Sequence, residues 1–203
     1  MKISSAKFVT SVADSNLIMN DTLPQVAFVG RSNVGKSSLI NMLVGQKKLA
    51  KTSSMAGRTR LINYFKVNEA FYFVDLPGYG FAKASAREIE GWQGLIEPYL
   101  VDNERLKVVC MLVDVRHEPT DLDKQMFKFL NYYNIPTLII ATKSDKLSKA
   151  QLSRAKLVVA NGLGVGTSNV VCTSSEDGYN KEEVLSRIEK MLEEGENGQQ
   201  KVD

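Results

Sequence analysis

Gly30-Arg31-Ser32-Asn33-Val34-Gly35-Lys36-Ser37 decides how this chain is read. It matches G-x-x-x-x-G-K-[ST], a turn between a strand and a helix whose backbone N–H groups cradle phosphate oxygens. The flanks agree, since residues 25–29 read as a strand and Lys36–Val44 as a helix. Gly30 and Gly35 let the backbone wrap closely, and the helix N-terminus adds partial positive charge. In that setting Lys36 reaches the β- and γ-phosphates of a nucleotide, and the Ser37 hydroxyl ligates Mg²⁺. A glycine-rich turn matched by chance is the alternative, and the strand and helix on either side argue against it.

Two strands further on, Phe71-Tyr72-Phe73-Val74-Asp75 places a carboxylate at the end of an apolar run, followed by Leu76-Pro77-Gly78. Asp75 suits the Mg²⁺ shell, acting through water, and the Gly78 N–H suits the γ-phosphate, whose loss it can sense. Asp-x-x-Gly alone often marks a plain turn. Its place in the order of strands gives it weight here.

The base is addressed by Thr142-Lys143-Ser144-Asp145, which follows a strand at 137–141. A carboxylate at Asp145 accepts from both N1–H and the N2 amino group of guanine. Adenine has no such donor pair and would leave the carboxylate unpaired. The aliphatic stem of Lys143 can cover the base. A helix N-cap by Ser144 or Asp145 is the competing reading. Thr173-Ser174-Ser175, after a strand at 170–173, supplies a second loop whose N–H groups can reach guanine O6. Together the two loops favour GTP and GDP.

Short apolar runs alternate with amphipathic stretches elsewhere. Strands are predicted at 61–67, 70–74 and 108–113, and helices at 87–100, 121–133, 149–161 and 181–194. This alternation predicts an α/β fold of Ras-like architecture: a mixed, mostly parallel sheet with helices on both faces and one antiparallel edge pair at 61–74. Every motif falls at or just after a strand end, where ligands bind in such folds. Residues 1–194 read as one GTPase domain and the polar residues 195–203 as a disordered tail. Residues 46–60 form a long polar, basic loop of the kind that is functional or mobile.

Composition excludes little. The apolar fraction is 43%, the charged fraction 24% and the net charge +3, ordinary for a soluble globular chain and too mild to demonstrate a nucleic-acid partner. No run of about 18 apolar residues suggests a membrane span, and no apolar signal segment opens the chain. A cytoplasmic monomer is expected. Cys110 and Cys172 read as reduced core thiols, and His117 as a surface loop residue. Trp92, Phe127, Phe129, Tyr132 and Tyr133 read as packing residues. Lys47, Lys48, Lys51, Arg58 and Arg60 are either solvated loop charge or contacts to phosphate or RNA.

The motif set and its order look like the translation-factor-related P-loop GTPases, the TrmE-Era-EngA-EngB-like group. Residues 30–41 (GRSNVGKSSLIN), 51–65 (KTSSMAGRTRLINYF), 73–82 (FVDLPGYGFA) and 142–147 (TKSDKL) resemble the EngB (YihA/YsxC) family of bacterial GTPases. The resemblance spans nearly the whole chain. It implies Mg²⁺-dependent GTP hydrolysis, a part in assembling the large (50S) ribosomal subunit, and a link to normal cell division and septation. Carried over by position, Thr59 is the switch threonine that closes on Mg²⁺, and Gly57, Arg58, Thr59, Arg60 and Leu61 line the nucleotide. Ala56 stands where the family usually has proline, while Thr142 for the commoner asparagine is the family's own usage.

Tyr79 occupies the position where Ras-type enzymes carry a water-orienting glutamine, so hydrolysis is expected to be slow. Asn33 resembles the asparagine that holds K⁺ in related GTPases, with plain loop stabilisation as the alternative. The basic loop and the resemblance together point to a GTP-dependent contact with the large subunit or its precursors, mainly through rRNA. A P-loop kinase is disfavoured by Asp145. A septum-bound module that uses nucleotide only for integrity is the other rival.

Overall fold

Strands buried on both faces read as unbroken apolar runs, and the centre of this fold is built from two of them. β2 (Gln25–Gly30) lies parallel to β5 (Leu106–Asp114), with Ala27 opposite Val109 and Phe28 opposite Cys110. The computed structural model describes residues 1–19, 21–50, 61–80 and 86–199. Within them, β1 (Ala6–Val12), β3 (Ile62–Val67), β4 (Phe71–Asp75), β6 (Thr137–Thr142) and β7 (Val170–Cys172) complete a seven-stranded sheet of order β1-β3-β4-β2-β5-β6-β7. β4-β2-β5-β6-β7 is parallel throughout, so all five strands end at one edge.

Alternation along the strands separates two apolar cores. Ala27, Val29, Val109, Met111, Val113 and Ile139 face one side, covered by α2 (Ala86–Val101), α3 (Asp121–Tyr132) and α4 (Lys149–Leu163). Val26, Phe28, Val108, Cys110, Leu112 and Leu138 face the other, where Leu39, Ile40 and Leu43 of α1 (Lys36–Val44) and Val184, Leu185 and Ile188 of α5 (Lys181–Gln199) cover them. The expected α/β architecture with helices on both faces is present. Both cysteines are buried free thiols.

The antiparallel pair β3–β4 is joined through Asn68 and Glu69, both left-handed (φ 51° and 54°), the backbone that a tight hairpin with native twist requires. Outside it lies a strand that the sequence reading did not foresee. β1 runs antiparallel to β3, with Phe8 opposite Phe65 and Thr10 opposite Tyr64, so Val9 is an extra residue that bulges the edge. Asn68 ties the entry to this strand, accepting from Ser4 N at 2.8 Å and donating to Lys2 O at 2.8 Å.

Three further differences from expectation have local causes. α5 runs to Gln199, five residues past the predicted helix end at 194. The loop expected at 46–60 is pinned at its start. Asn41, buried in α1, donates to Ala50 O and accepts from Ala50 N, both at 2.8 Å, the two bonds of a peptide pair. Residues 51–60 lie outside the described residues. Among the aromatics, Phe127 is buried, but Tyr132 is 78% exposed and edge-on to Tyr133 at the end of α3. Helical spacing carried these tyrosines past the point where the helix leaves the core.

Candidate functional site

The five parallel strands deliver Gly30, Asp75, Asp114, Thr142 and Cys172 to the same edge of the sheet. Between β2 and α1, the loop from Gly30 to Ser37 turns with Asn33 left-handed (φ 64°) and Val34 N bonded to Arg31 O at 3.1 Å. Gly35 precedes the helix at φ 103°, a conformation that side chains rarely adopt, so the loop's exit into α1 requires glycine. The first N–H groups of α1 therefore open onto the loop.

Lys36 Nζ contacts Asp75 Oδ1, and Ser37 Oγ lies 3.5 Å from Asp75 Oδ2. The ammonium, hydroxyl and carboxylate of the phosphate motif are thus brought together from α1 and β4. Beyond Asp75 the chain passes against the loop. Leu76 N donates to Phe28 O at 3.1 Å, Tyr79 N to Gly30 O at 3.3 Å, and Ser32 N to Tyr79 O at 2.9 Å. Gly78 lies between these contacts. A Cβ on it would stand 3.2 Å from Ser32 N and 3.3 Å from Gly30 O, closer than nine in ten real contacts. Pro77 is buried beside it, and the Arg31 Nε is buried without a hydrogen-bond partner among the described residues.

The base motif is fastened to the phosphate loop by two side chains. Thr142 Oγ1 donates to Val34 O at 2.7 Å and approaches Val113 O at 3.2 Å. Lys143 Nζ donates to Asn33 O and to Asp114 Oδ2, each at 2.9 Å. Lys143 is itself left-handed (φ 64°), a cost of about 1 kcal/mol that its two anchors offset. The ammonium therefore has a structural task of its own, tying the end of β6 to the phosphate loop and to Asp114.

Asp114, Arg116 and Lys143 form a cluster that the motifs did not announce. Arg116 meets Asp114 in a fork, Nε to Oδ1 at 2.9 Å and Nη2 to Oδ2 at 2.7 Å. Burial alone would raise the Asp114 pKa, but Arg116 and then Lys143 outweigh it and hold the carboxyl well below the usual range. The only sequence signal was a charge at a strand end, which marks many loops.

Asp145 is the middle residue of the short turn Ser144–Lys146, and its carboxyl is held low chiefly by Lys146, 2.7 Å away, with a further hydrogen bond from Ser174. The Ser144 hydroxyl is buried with no partner among the described residues. In the second loop, Thr173 N donates to Ala141 O at 2.8 Å and Ser174 N to Tyr179 O at 3.3 Å. Two of the three N–H groups assigned there to the base are thus used within the protein, and Ser175 carries the remaining one. Leu61 is described, partly buried before β3. Gly57, Arg58, Thr59 and Arg60 lie outside the described residues.

A phosphate loop at a strand–helix junction, a carboxylate from the next parallel strand and a guanine-type carboxylate on the same edge define a P-loop GTPase. A model of the family described as 50S ribosome-binding GTPase matches residues 25–143. The chain is 49% identical over 189 residues to the "probable GTP-binding protein EngB" of Pelotomaculum thermopropionicum, covering 93% of this chain and 96% of that one. It belongs to the EngB family of GTP-binding proteins and is a GTP-hydrolysing enzyme. A solved structure of a probable GTP-binding protein engB matches with a TM-score of 0.67 at 25% identity, over 84% of this chain and 99% of that chain. Era in complex with MgGDPNP and nucleotides 1506–1542 of 16S ribosomal RNA matches with a TM-score of 0.61 at 25% identity, over 83% of this chain and 56% of that one. No helix among the described residues is long and apolar enough to cross a membrane.

Proposed function

We propose that this GTPase is a nucleotide-controlled factor in assembly of the large (50S) ribosomal subunit, and that normal cell division and septation depend on that work. The observation that carries the reading is the match of residues 25–143 to a family of 50S ribosome-binding GTPases. Lys36 and the loop N–H groups hold the phosphates, Gly78 N–H meets the γ-phosphate, and Asp145 with Ser175 N–H reads guanine. Ser37 and Thr59 are the direct protein ligands of Mg²⁺, with Asp75 acting through water.

The donor set fits that ion. A hydroxyl and a carboxylate stand together at Ser37 and Asp75. Among the described residues no group of three or more His, Cys, Asp or Glu can hold a metal unaided, so nucleotide oxygens complete the shell. When bound, Mg²⁺ neutralises charge developing on the phosphate oxygens. Lys36 adds a second positive charge from the chain itself. Hydrolysis is slow because the side chain after Gly78 cannot orient water: the Tyr79 hydroxyl is spent on Asp123, 2.8 Å away. Asn33 would hold K⁺ at the loop, where the ion would supply positive charge in place of an arginine finger.

Contact with rRNA is made by the basic loop, of which Lys47 and Lys48 are described and exposed. Lys51, Arg58 and Arg60 lie outside the described residues. Each cation that neutralises a phosphate releases counterions, so binding should be salt-sensitive. Co-sedimentation with 50S particles, with GDP and with a non-hydrolysable GTP analogue across a salt series, tests the reading. Binding favoured by the analogue and weakened by salt is expected. Equal binding in both nucleotide states removes the switch, and salt-independent binding removes the electrostatic account. Recovery only at the septum, and not on ribosomal precursors, favours a direct division role instead.

A further inference from the structure

Tyr79 is 7% exposed and Asp123 4% exposed, and the phenol donates to Asp123 Oδ1 at 2.8 Å. The other carboxylate oxygen is committed as well. Thr120 N and Thr120 Oγ1 donate to Oδ2 at 2.9 and 2.7 Å, closing a capping box at the start of α3. No cation pairs with Asp123 among the described residues, so a buried charge is held by three hydrogen bonds and the helix N-terminus alone. Burying a carboxylate in this way is costly. A phenylalanine over an apolar α3 would fill the same space without it.

The backbone of Tyr79 shows what the cost secures. Its N–H donates to Gly30 O and its carbonyl accepts from Ser32 N, so the residue forms a parallel bridge to Arg31 of the phosphate loop. Gly78 is thereby held against Ser32 and Gly30, where a Cβ would crowd backbone atoms at 3.2 and 3.3 Å. The side chain anchors to α3 and the main chain anchors to the loop, with Gly78 immediately before both. Burial, then the Asp123 charge, push the Tyr79 phenol far above its ordinary range, so it stays a donor at working pH.

We propose that Tyr79, locked by its hydrogen bond to Asp123, is the positioning residue that holds the Gly78 N–H for the γ-phosphate, so that discrimination of GTP from GDP depends on an aspartate in α3. The inference rests on the reading that Gly78 N–H meets that phosphate. Dissociation constants for GDP and for a non-hydrolysable GTP analogue, measured on the full chain and four variants, separate the two claims.

Tyr79→Phe and Asp123→Ala should each lower the preference for the analogue over GDP by about fivefold, the size of one lost hydrogen bond, with GDP affinity little changed. Thr120→Val, which breaks the cap but spares the phenol's partner, should lower the melting temperature and leave the preference intact. Gly78→Ala should abolish the preference. If Gly78→Ala does so while Tyr79→Phe and Asp123→Ala do not, including by an equal fall in both affinities, this inference fails alone. If Gly78→Ala leaves the preference unchanged, the reading beneath it fails. Should Tyr79→Phe not fold, Asp123→Ala carries the same comparison.

Discussion

Thr142 Oγ1 donates to the Val34 carbonyl at 2.7 Å, joining the end of β6 to the middle of the phosphate loop across 108 positions of sequence. Together with Lys143 Nζ on the Asn33 carbonyl, this hydroxyl ties the segment proposed to read the base to the loop proposed to hold the phosphates.

Thr142→Val keeps the shape and removes the donor. Thr142 is 3% exposed, so the Val34 carbonyl would be left without its partner, a loss of about 1–3 kcal/mol. Affinity for GTP and GDP should fall together, and Thr142→Ser should restore both. Thermal unfolding and nucleotide titration of the three proteins check this; an unchanged Thr142→Val would show that the bond carries nothing.

Asp145 should set base choice. Asp145→Asn replaces an acceptor with a donor, which suits the carbonyl that xanthine has in place of guanine's amino group. Affinity should shift from GTP to xanthosine triphosphate by about tenfold or more. Competition between the two nucleotides measures it, and unaltered GTP binding would mean that the base pocket lies elsewhere.

Asp114 should make stability fall in acid. Its folded-state pKa is depressed, because Arg116 and Lys143 outweigh the effect of burial. The unfolded chain therefore binds its proton first as pH drops. The stabilisation is full above the unfolded value of about 3.9 and is lost as pH falls below it towards the folded value. Urea midpoints of the wild type and Asp114→Asn, compared between pH 7 and pH 2.5, should differ most at neutral pH and converge in acid. A constant difference across that range would refute the assignment.

Turnover should be faster in KCl than in NaCl at matched ionic strength, with Asn33→Ala abolishing the difference. Equal rates in the two salts would leave Asn33 as a residue that merely tolerates the left-handed turn at φ 64°.

What the sequence made legible were features with local signatures. Lys36–Val44 was bounded correctly by its motif and apolar spacing, and the central strands were located by their unbroken runs, although β5 begins two residues before and ends one residue after the predicted span. β1 escaped because only Val12 of its seven residues is buried, so no inward face is written into it. The Asp114–Arg116–Lys143 cluster and the bond from Tyr79 to Asp123 escaped for another reason. Their partners come from different strands and loops, and no spacing rule connects residues 44 positions apart. The Thr120-x-x-Asp123 pattern does announce a helix cap, but it cannot announce the tyrosine that shares the carboxylate.

The extra residue at Val9 has a bearing on how this protein is handled at high concentration. β1 is an outer strand with Phe8 52% and Val9 40% exposed, the combination that invites a second chain to add itself to a sheet. The bulge breaks the regular spacing of the free N–H and C=O groups along that rim and increases its twist, so an incoming strand finds no straight template. Deleting Val9 would straighten the rim while keeping Phe8 outside. The expected cost is self-association and precipitation, with the nucleotide site, which begins two strands away at Asp75 of β4, untouched.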